Sequence, residues 1–251
     1  LDKPSIIGTA LSQSTNVLKH IPINSFANRI IDFSSIRIEN AEQIILVSGG
    51  NSSLQGSGSI GGSIHINSSF KKIKSENEIS LKKEFGSFGL RSSSFKFKKN
   101  FNKLLISSSF MKLIDNNRFK YKNTAAFDSP IQTNNYGKIV HEEVKFNALY
   151  NINPYNKLQF HSWINFLDRE VPQNLTTINS DAKQYDKNYR FLLKSQHQIN
   201  KLKIVLKQAF LKEDFRYTEL SKNIDSKFII NSRVTDLKLK YLHQKYSFNI
   251  N

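Results

Sequence analysis

The chain changes texture near residue 70. Beyond that point apolar and polar residues alternate with a period of two, the pattern of strands with two unlike faces. Ile79, Leu81 and Phe85 share one face, and Lys82 and Glu84 take the other. Phe95 and Phe97 oppose Lys96 and Lys98. Val140, Val144, Phe146, Ala148 and Tyr150 recur at spacing two around Glu142, and Leu158, Phe160, Ile164 and Phe166 do so around Ser162. Tyr189, Phe191 and Leu193 continue the pattern, followed by Leu202, Ile204 and Leu206, then Leu237, Leu239 and Tyr241. With the run Leu104–Leu113 these segments predict roughly eight strands of about 10–13 residues. Globular strands usually run about 5–6 residues, whereas a strand crossing a bilayer needs about 9–11. Before residue 70 the pattern is weaker. Ser12–Lys19 predicts a short helix with Val17 and Leu18 on its buried side. Ile44-Ile45-Leu46-Val47 predicts a buried strand, and Ser63–Asn67 an alternating one.

The connections sort into two kinds. Asn100–Asn102, Asn151–Asn156, Asn200-Lys201 and the neighbourhood of Gln244-Lys245 are short. Ile114–Ile139, Asp168–Asp186 and Phe215–Ser232 are long, and Gly86–Gly89 is a tight exception among them. Short turns on one side and long loops on the other predict an antiparallel transmembrane β-barrel of the outer-membrane kind. In a bilayer each backbone polar group needs a partner, so a sheet spans only as a closed barrel, with lipid outside and water within. Tyr150, Tyr189, Tyr217 and Tyr241 fall near strand ends, where aromatic girdles sit.

Composition now becomes readable. The chain has 251 residues, a formal net charge of +17, 38% hydrophobic residues and no Cys. A modest apolar fraction suits a wall that meets lipid on one face only. The missing Cys excludes disulfide scaffolds, Cys-zinc sites and thiol catalysis, and suits a barrel that passes through an oxidising compartment. No run approaches the roughly 18 apolar residues of a spanning helix. The charge invites nucleic-acid binding, but the lysines are spread over every strand and no recognition helix, finger or RNA-binding aromatic motif is present. A basic nucleic-acid-binding β-protein is a remote alternative. Catalysis finds no support. His141-Glu142-Glu143 lacks the second His of a zinc-protease motif, the six His are scattered, and neither a metal site nor a cofactor is expected.

Gly56-Ser57-Gly58-Ser59-Ile60-Gly61 matches the G-x-G-x-x-G dinucleotide fingerprint, but that fingerprint must open a helix. Here Ser63–Asn67 reads as a strand. The wider string, Glu42-Gln43-Ile44-Ile45-Leu46-Val47-Ser48-Gly49-Gly50 followed by Ser53-Leu54-Gln55-Gly56-Ser57-Gly58-Ser59-Ile60-Gly61-Gly62-Ser63-Ile64-His65-Ile66, resembles the end of the plug domain of TonB-dependent outer-membrane receptors. Ile30–Ile36 resembles the preceding plug segment. Arg169-Glu170-Val171-Pro172 and Asp181–Asn188 resemble loop sequences of cobalamin-type and related receptors. Ser48-Gly49-Gly50 departs from the commoner Arg-Gly-Pro, and Gln55 stands where Tyr is frequent.

The resemblance implies an α+β plug fragment over residues 1–69 and the N-terminal part of a barrel over 70–251. It implies energy-coupled uptake of a scarce small molecule, cobalamin or an iron-siderophore, through an outer membrane. It makes TonB and outer-membrane lipid partners, with no cofactor, and the complete barrel a monomer. The complete fold has about 22 strands, so the chain, which starts with Leu, is expected to be an internal fragment. A passive, porin-like barrel is the alternative. Gly49, Gly50, Gly56, Gly58, Gly61 and Gly62 are expected to let the plug chain turn tightly against the wall. Arg118, Tyr121, Tyr136, Arg169, Tyr185 and Arg216, all on predicted loops, are the candidate substrate contacts. By parity Lys82, Lys96, Lys98, Lys145, Lys194, Lys203, Lys207 and Lys238 face the lumen.

Overall fold

The computed structural model describes residues 14–18, 21–22, 43–48, 62–67, 77–172, 175, 180–242 and 247–250. Two compact units divide the chain. One comprises Leu1–Lys72, Ser195–Ala209 and Ser232–Asn251, the other Ile73–Lys194 and Phe210–Asn231.

The first unit contains a four-stranded mixed sheet of β1 (Ser14–Leu18), β2 (Ile21–Pro22), β3 (Gln43–Ser48) and β4 (Gly62–Asn67), in the order β2-β1-β4-β3. β1 runs parallel to β4 and β3 antiparallel to it. The described part of the helix predicted over Ser12–Lys19, Ser14–Leu18, is therefore a strand. Thr15 and Val17 are β-branched and favour it, and β4 supplies a ladder that an eight-residue helix has no means to match. The strand predicted at Ile44–Val47 exists but is not buried: Leu46 is 61% exposed. On β4 it is Ser63 and His65 that are buried. The Ser63 hydroxyl and His65 Nε2 share a hydrogen bond of 2.8 Å, which removes the penalty of burying them. Burial also lowers the His65 pKa, because the charged form is the one desolvation disfavours.

The barrel strands follow as an antiparallel meander. They are β5 (Asn77–Phe85), β6 (Arg91–Phe101), β7 (Leu104–Asp115), β10 (Ile139–Asn151), β11 (Lys157–Glu170), β12 (Lys183–Ile199), β13 (Leu202–Glu219), β14 (Ile224–Leu242) and β15 (Ser247–Ile250). A small hairpin, β8 (Lys120–Lys122) and β9 (Ile131–Thr133), lies within the β7–β10 connection. The sheet is open, with β5 and β15 at its edges. Eight long strands match the count read from the alternation, and the short β15 pairs with β14 as a ninth. The turn expected near Gln244-Lys245 lies outside the described residues, as do Gly49, Gly50, Gly56, Gly58 and Gly61. Gly62 opens β4, opposite Ser14 and Ser48.

Two of the predicted long loops are shorter than expected. β13 runs to Glu219 and β14 begins at Ile224, so Phe215–Ser232 is mostly strand around a tight 3₁₀ turn at Leu220–Lys222. β11 and β12 likewise extend to Glu170 and back to Lys183. Apolar alternation stops where lipid would stop, but backbone pairing does not need lipid. Phe215 stacks on Phe228 at 4.7 Å, and Arg216 donates two hydrogen bonds to Asp225, which holds the extended hairpin together.

The open face of the meander is largely apolar, and its covered face mixes charged and polar side chains with apolar ones such as Met111, Leu113 and Leu167. Registers place Phe110–Val144–Ile164, Ser108–Phe146–Ser162, Ile106–Ala148–Phe160 and Leu104–Tyr150–Leu158 in successive rows of one face. Phe110, Val144, Phe146, Tyr150 and Leu158 are exposed there. On the other face Asn165 is 0% and Glu143 and His141 each 1% exposed. A water-soluble sheet reverses this arrangement, whereas a wall between lipid and a lumen requires it. Lys82, Lys96, Lys98 and Lys145 share the covered face, as parity predicted. Tyr217 departs from expectation. It shares parity with buried Leu211 and Glu213, so it lies on the inner face rather than in an outer girdle.

Candidate substrate-facing wall and rim

The inner wall carries a charged cluster that its registers create. Lys145 pairs with Trp163 and Glu143 with Asn165 across β10 and β11. The Trp163 indole N–H donates to Glu143 Oε2 at 2.9 Å, and Lys145 lies 2.7 Å from Glu143 Oε1. The Lys145 ammonium is 5.1 Å from the centre of the Trp163 ring and the Arg190 guanidinium 4.5 Å, so the indole has two cations near it. Arg190 also donates to Asn165 Oδ1 at 3.4 Å. Cation–π contacts of this desolvated kind contribute about 2 kcal/mol. Glu143 neutralises Lys145 and accepts from the indole, while the buried Arg190 guanidinium has Glu213 and Glu143 within electrostatic reach. His161 Nδ1 and Asn147 Oδ1 share a 2.8 Å hydrogen bond one row further towards the short turns.

The rim at the longer loops is tied from strand to strand. The Ser221 N–H and hydroxyl both donate to Asp181, the hydroxyl at 2.8 Å. These bonds hold the Asp181 carboxyl below the usual carboxylate range, the hydroxyl's contribution leading. Ser180 and Tyr217 donate to Glu219, and Lys222 lies 2.7 Å from it. Val171 donates to the Ala182 carbonyl, closing the β11–β12 loop at its base. Glu170 Oε2 accepts from the Gly137 and Lys138 N–H groups, joining the β7–β10 loop to the end of β11.

The six candidate contact residues separate into two groups. Tyr136, Tyr185 and Arg216 fall together: Tyr185 lies within electrostatic reach of both of the others. The Tyr136 hydroxyl is buried and has no partner among the described residues. Its pKa is pushed up to about 12, first by desolvation and then by Glu170, Asp181, Tyr185 and Asp168. Arg216 is already engaged by Asp225. Arg169 sits half-buried opposite Ile139 on the inner face of the wall. Arg118 precedes β8 and Tyr121 lies on it, both within the β7–β10 connection. There Tyr121 donates to Gln132 at 3.0 Å, and a tilted ladder of rings runs Phe88–Phe119–Tyr121. Arg118 is exposed, and its backbone N–H reaches the Phe88 carbonyl.

The sequence reading did not single out the Glu143–Trp163–Arg190 cluster. A signal was there: the only Trp of the chain occupies a polar-face position in an alternating strand, where an indole needs an acceptor.

No family model matches the chain, and no curated protein matches it. Solved structures do. The siderophore receptor PiuA from Acinetobacter baumannii superposes over 91% of this chain with a TM-score of 0.63 and 14% identity. The ferric yersiniabactin uptake receptor FyuA from Yersinia pestis covers 93% of it with a TM-score of 0.69 and 13% identity. A variant of the ferric enterobactin receptor PfeA from Pseudomonas aeruginosa, in complex with enterobactin, covers 95% with a TM-score of 0.66 and 10% identity. The chain spans 35%, 37% and 40% of those three chains respectively. It therefore has the fold found in part of these receptors, a small mixed sheet followed by a run of antiparallel barrel strands. The resemblance to TonB-dependent receptors read from the sequence holds at the level of fold.

Proposed function

We propose that the chain is part of a receptor for energy-coupled uptake of a scarce small molecule across an outer membrane. Residues 1–69 supply plug and 70–251 supply barrel wall. TonB is the energy-coupling partner, outer-membrane lipid surrounds the wall, and the barrel functions as a monomer. Chemistry on the substrate is not required; binding, orientation and release are. A ferric siderophore is the first substrate to test, because the structural neighbours carry siderophore names. Cobalamin is the second, on the loop resemblance of Arg169–Pro172.

The observation that carries this reading is that the likeness extends over 91% and 93% of the chain, more than the meander alone contains. A passive porin-like barrel accounts for the meander but gives the β1–β4 sheet no role. Whole-cell uptake of radiolabelled ferric siderophores and cobalamin provides the test, in cells with and without TonB and before and after a protonophore. The proposal expects accumulation that both treatments abolish. Uptake indifferent to both would return the protein to the passive class.

A further inference from the structure

The carboxylates of the barrel portion are not distributed like its lysines. No Asp or Glu lies between Glu84 and Asp115, between Glu143 and Asp168, between Asp186 and Glu213, or beyond Asp236. The first three blocks contain the short turns that join β6 to β7, β10 to β11 and β12 to β13. Cations run through all four blocks, Lys96, Lys98, Lys145, Lys194 and Lys238 among them. These strand pairs thus carry negative charge near their longer-loop ends and only positive charge towards the short turns.

In the second unit the registers put part of this excess on the inner wall. Lys96 stands between Ser80 and Ser109, and Ser109 in turn stands beside Lys145. One row further towards the turn, Lys98 pairs with Ser107 and Ser107 with Asn147. Lys145 is occupied by Glu143, and the Lys98 ammonium is 4.0 Å from Glu78. Lys96 has no ion-pair partner among the described residues, and the hydroxyls of Ser94, Ser107 and Ser109 make no hydrogen bond there. All four are half-buried. The serines are small where the flanking inner positions hold Met111, Leu113 and Trp163, so room is left beside the ammonium. A cation and several unengaged hydroxyl donors on a low-dielectric wall are matched by a charged oxygen acceptor.

We infer that this stretch of the inner wall binds an oxyanion, the carboxylate or phosphate of a small solute. Lys96 is the principal contact, with Lys98, Ser107 and Ser109 beside it. The anion is then drawn from a rim rich in carboxylates towards a turn-side wall on which Glu78, already beside Lys98, is the carboxylate nearest the site among the described residues. The solute's being cargo rests on the receptor reading; the binding of an anion does not.

Citrate is a suitable probe and its uncharged triester a control, each titrated at constant ionic strength into the full-length protein in detergent. Trp163 lies in the same row as Lys96, through Ser109 and Lys145, and reports locally when the signal of a Trp163→Phe variant is subtracted. A saturable change with citrate and none with the triester is expected. Lys96→Gln should weaken citrate about tenfold, the loss of one charge-assisted contact. Lys96→Arg should bind as the parent does, and Lys120→Gln on exposed β8 should change nothing. Unaltered affinity in Lys96→Gln, with an intact heat-modifiable fold, overturns the inference. So does citrate binding seen only after removal of residues 1–69, which would assign the wall to an acidic segment of the same chain. TonB-dependent uptake accompanied by unaltered citrate affinity in Lys96→Gln refutes this site and leaves the receptor standing. Citrate binding lost in Lys96→Gln, in a protein without energised uptake, supports the site and refutes the receptor.

Discussion

Trp163 sits where a lumen wall ordinarily has a polar residue, and its indole is accommodated because Glu143 accepts its N–H while Lys145 and Arg190 lie over its ring. Removing Glu143 breaks both links at once. Glu143→Ala should destabilise the folded protein by about 3–5 kcal/mol, because it leaves the Lys145 ammonium without its carboxylate in a covered site. Adding Lys145→Met should recover part of that loss, since an apolar replacement of the pair costs far less than half of it. Thermal unfolding in detergent, followed by heat-modifiable gel mobility, measures both. Asp181 behaves differently because its links to Ser221 are exposed. Its folded-state pKa lies below the unfolded value, so the tie is fully present above the ordinary carboxylate range and is lost as pH falls through the lowered value. Hydrogen exchange of the Ser221 amide should accordingly be protected at neutral and mildly acidic pH, after allowance for the intrinsic pH dependence of exchange. That protection should disappear only below about pH 4, and Asp181→Asn should show a weaker tie without that pH dependence.

Among the elements, legibility depended on what each pattern reports. Apolar alternation reports contact with lipid. It located β5–β7 and β10–β14, but it fell short of their ends, where β13 and β14 continue as paired backbone with Arg216–Asp225 and Phe215–Phe228 between them. It also misread β1, because eight residues hold little more than two helical turns and the partner strand β4 lies far along the chain. The tight turns at Asn102 and Asn200 were legible for a different reason. Both residues take left-handed backbone conformations at hairpin ends, which Asn tolerates better than most residues; Asn223 does the same in a turn that was expected to be a long loop. Asn200→Gly should be neutral or mildly stabilising. Asn200→Val should cost about 1–2 kcal/mol, read as a lower unfolding temperature with unchanged sheet content. Of the six candidate contacts, Tyr136, Tyr185 and Arg216 lie within electrostatic reach of one another through Tyr185, although Tyr185 and Arg216 stand on β12 and β13 rather than on the loops expected for them. The wall cluster was not legible, because its members are far apart in sequence and only strand register brings Glu143, Trp163 and Arg190 together.

For the whole molecule, the informative property is that the meander reverses the usual placement of large apolar and charged side chains: Phe110, Val144 and Phe146 stand open, while Glu143 and Asn165 are covered together with Met111, Leu113 and Leu167. Lipid outside and a water-filled or plugged lumen inside explain that reversal without further assumption. The cations are distributed along a wall, and the carboxylates are concentrated near one end of its strands. The account makes a definite claim about which end faces outward. The chain contains no Cys, so single cysteines can be placed at will. Phe127, 92% exposed on the β8–β9 loop, and Tyr155, 60% exposed on the β10–β11 turn, mark the two ends. The deciding measurement is labelling of Phe127→Cys and Tyr155→Cys with a membrane-impermeant maleimide, in intact cells and after permeabilisation. The account predicts that Phe127→Cys reacts in intact cells and Tyr155→Cys only once the outer membrane is opened. Equal labelling of both in intact cells, or of neither until the inner membrane is broken, would contradict it.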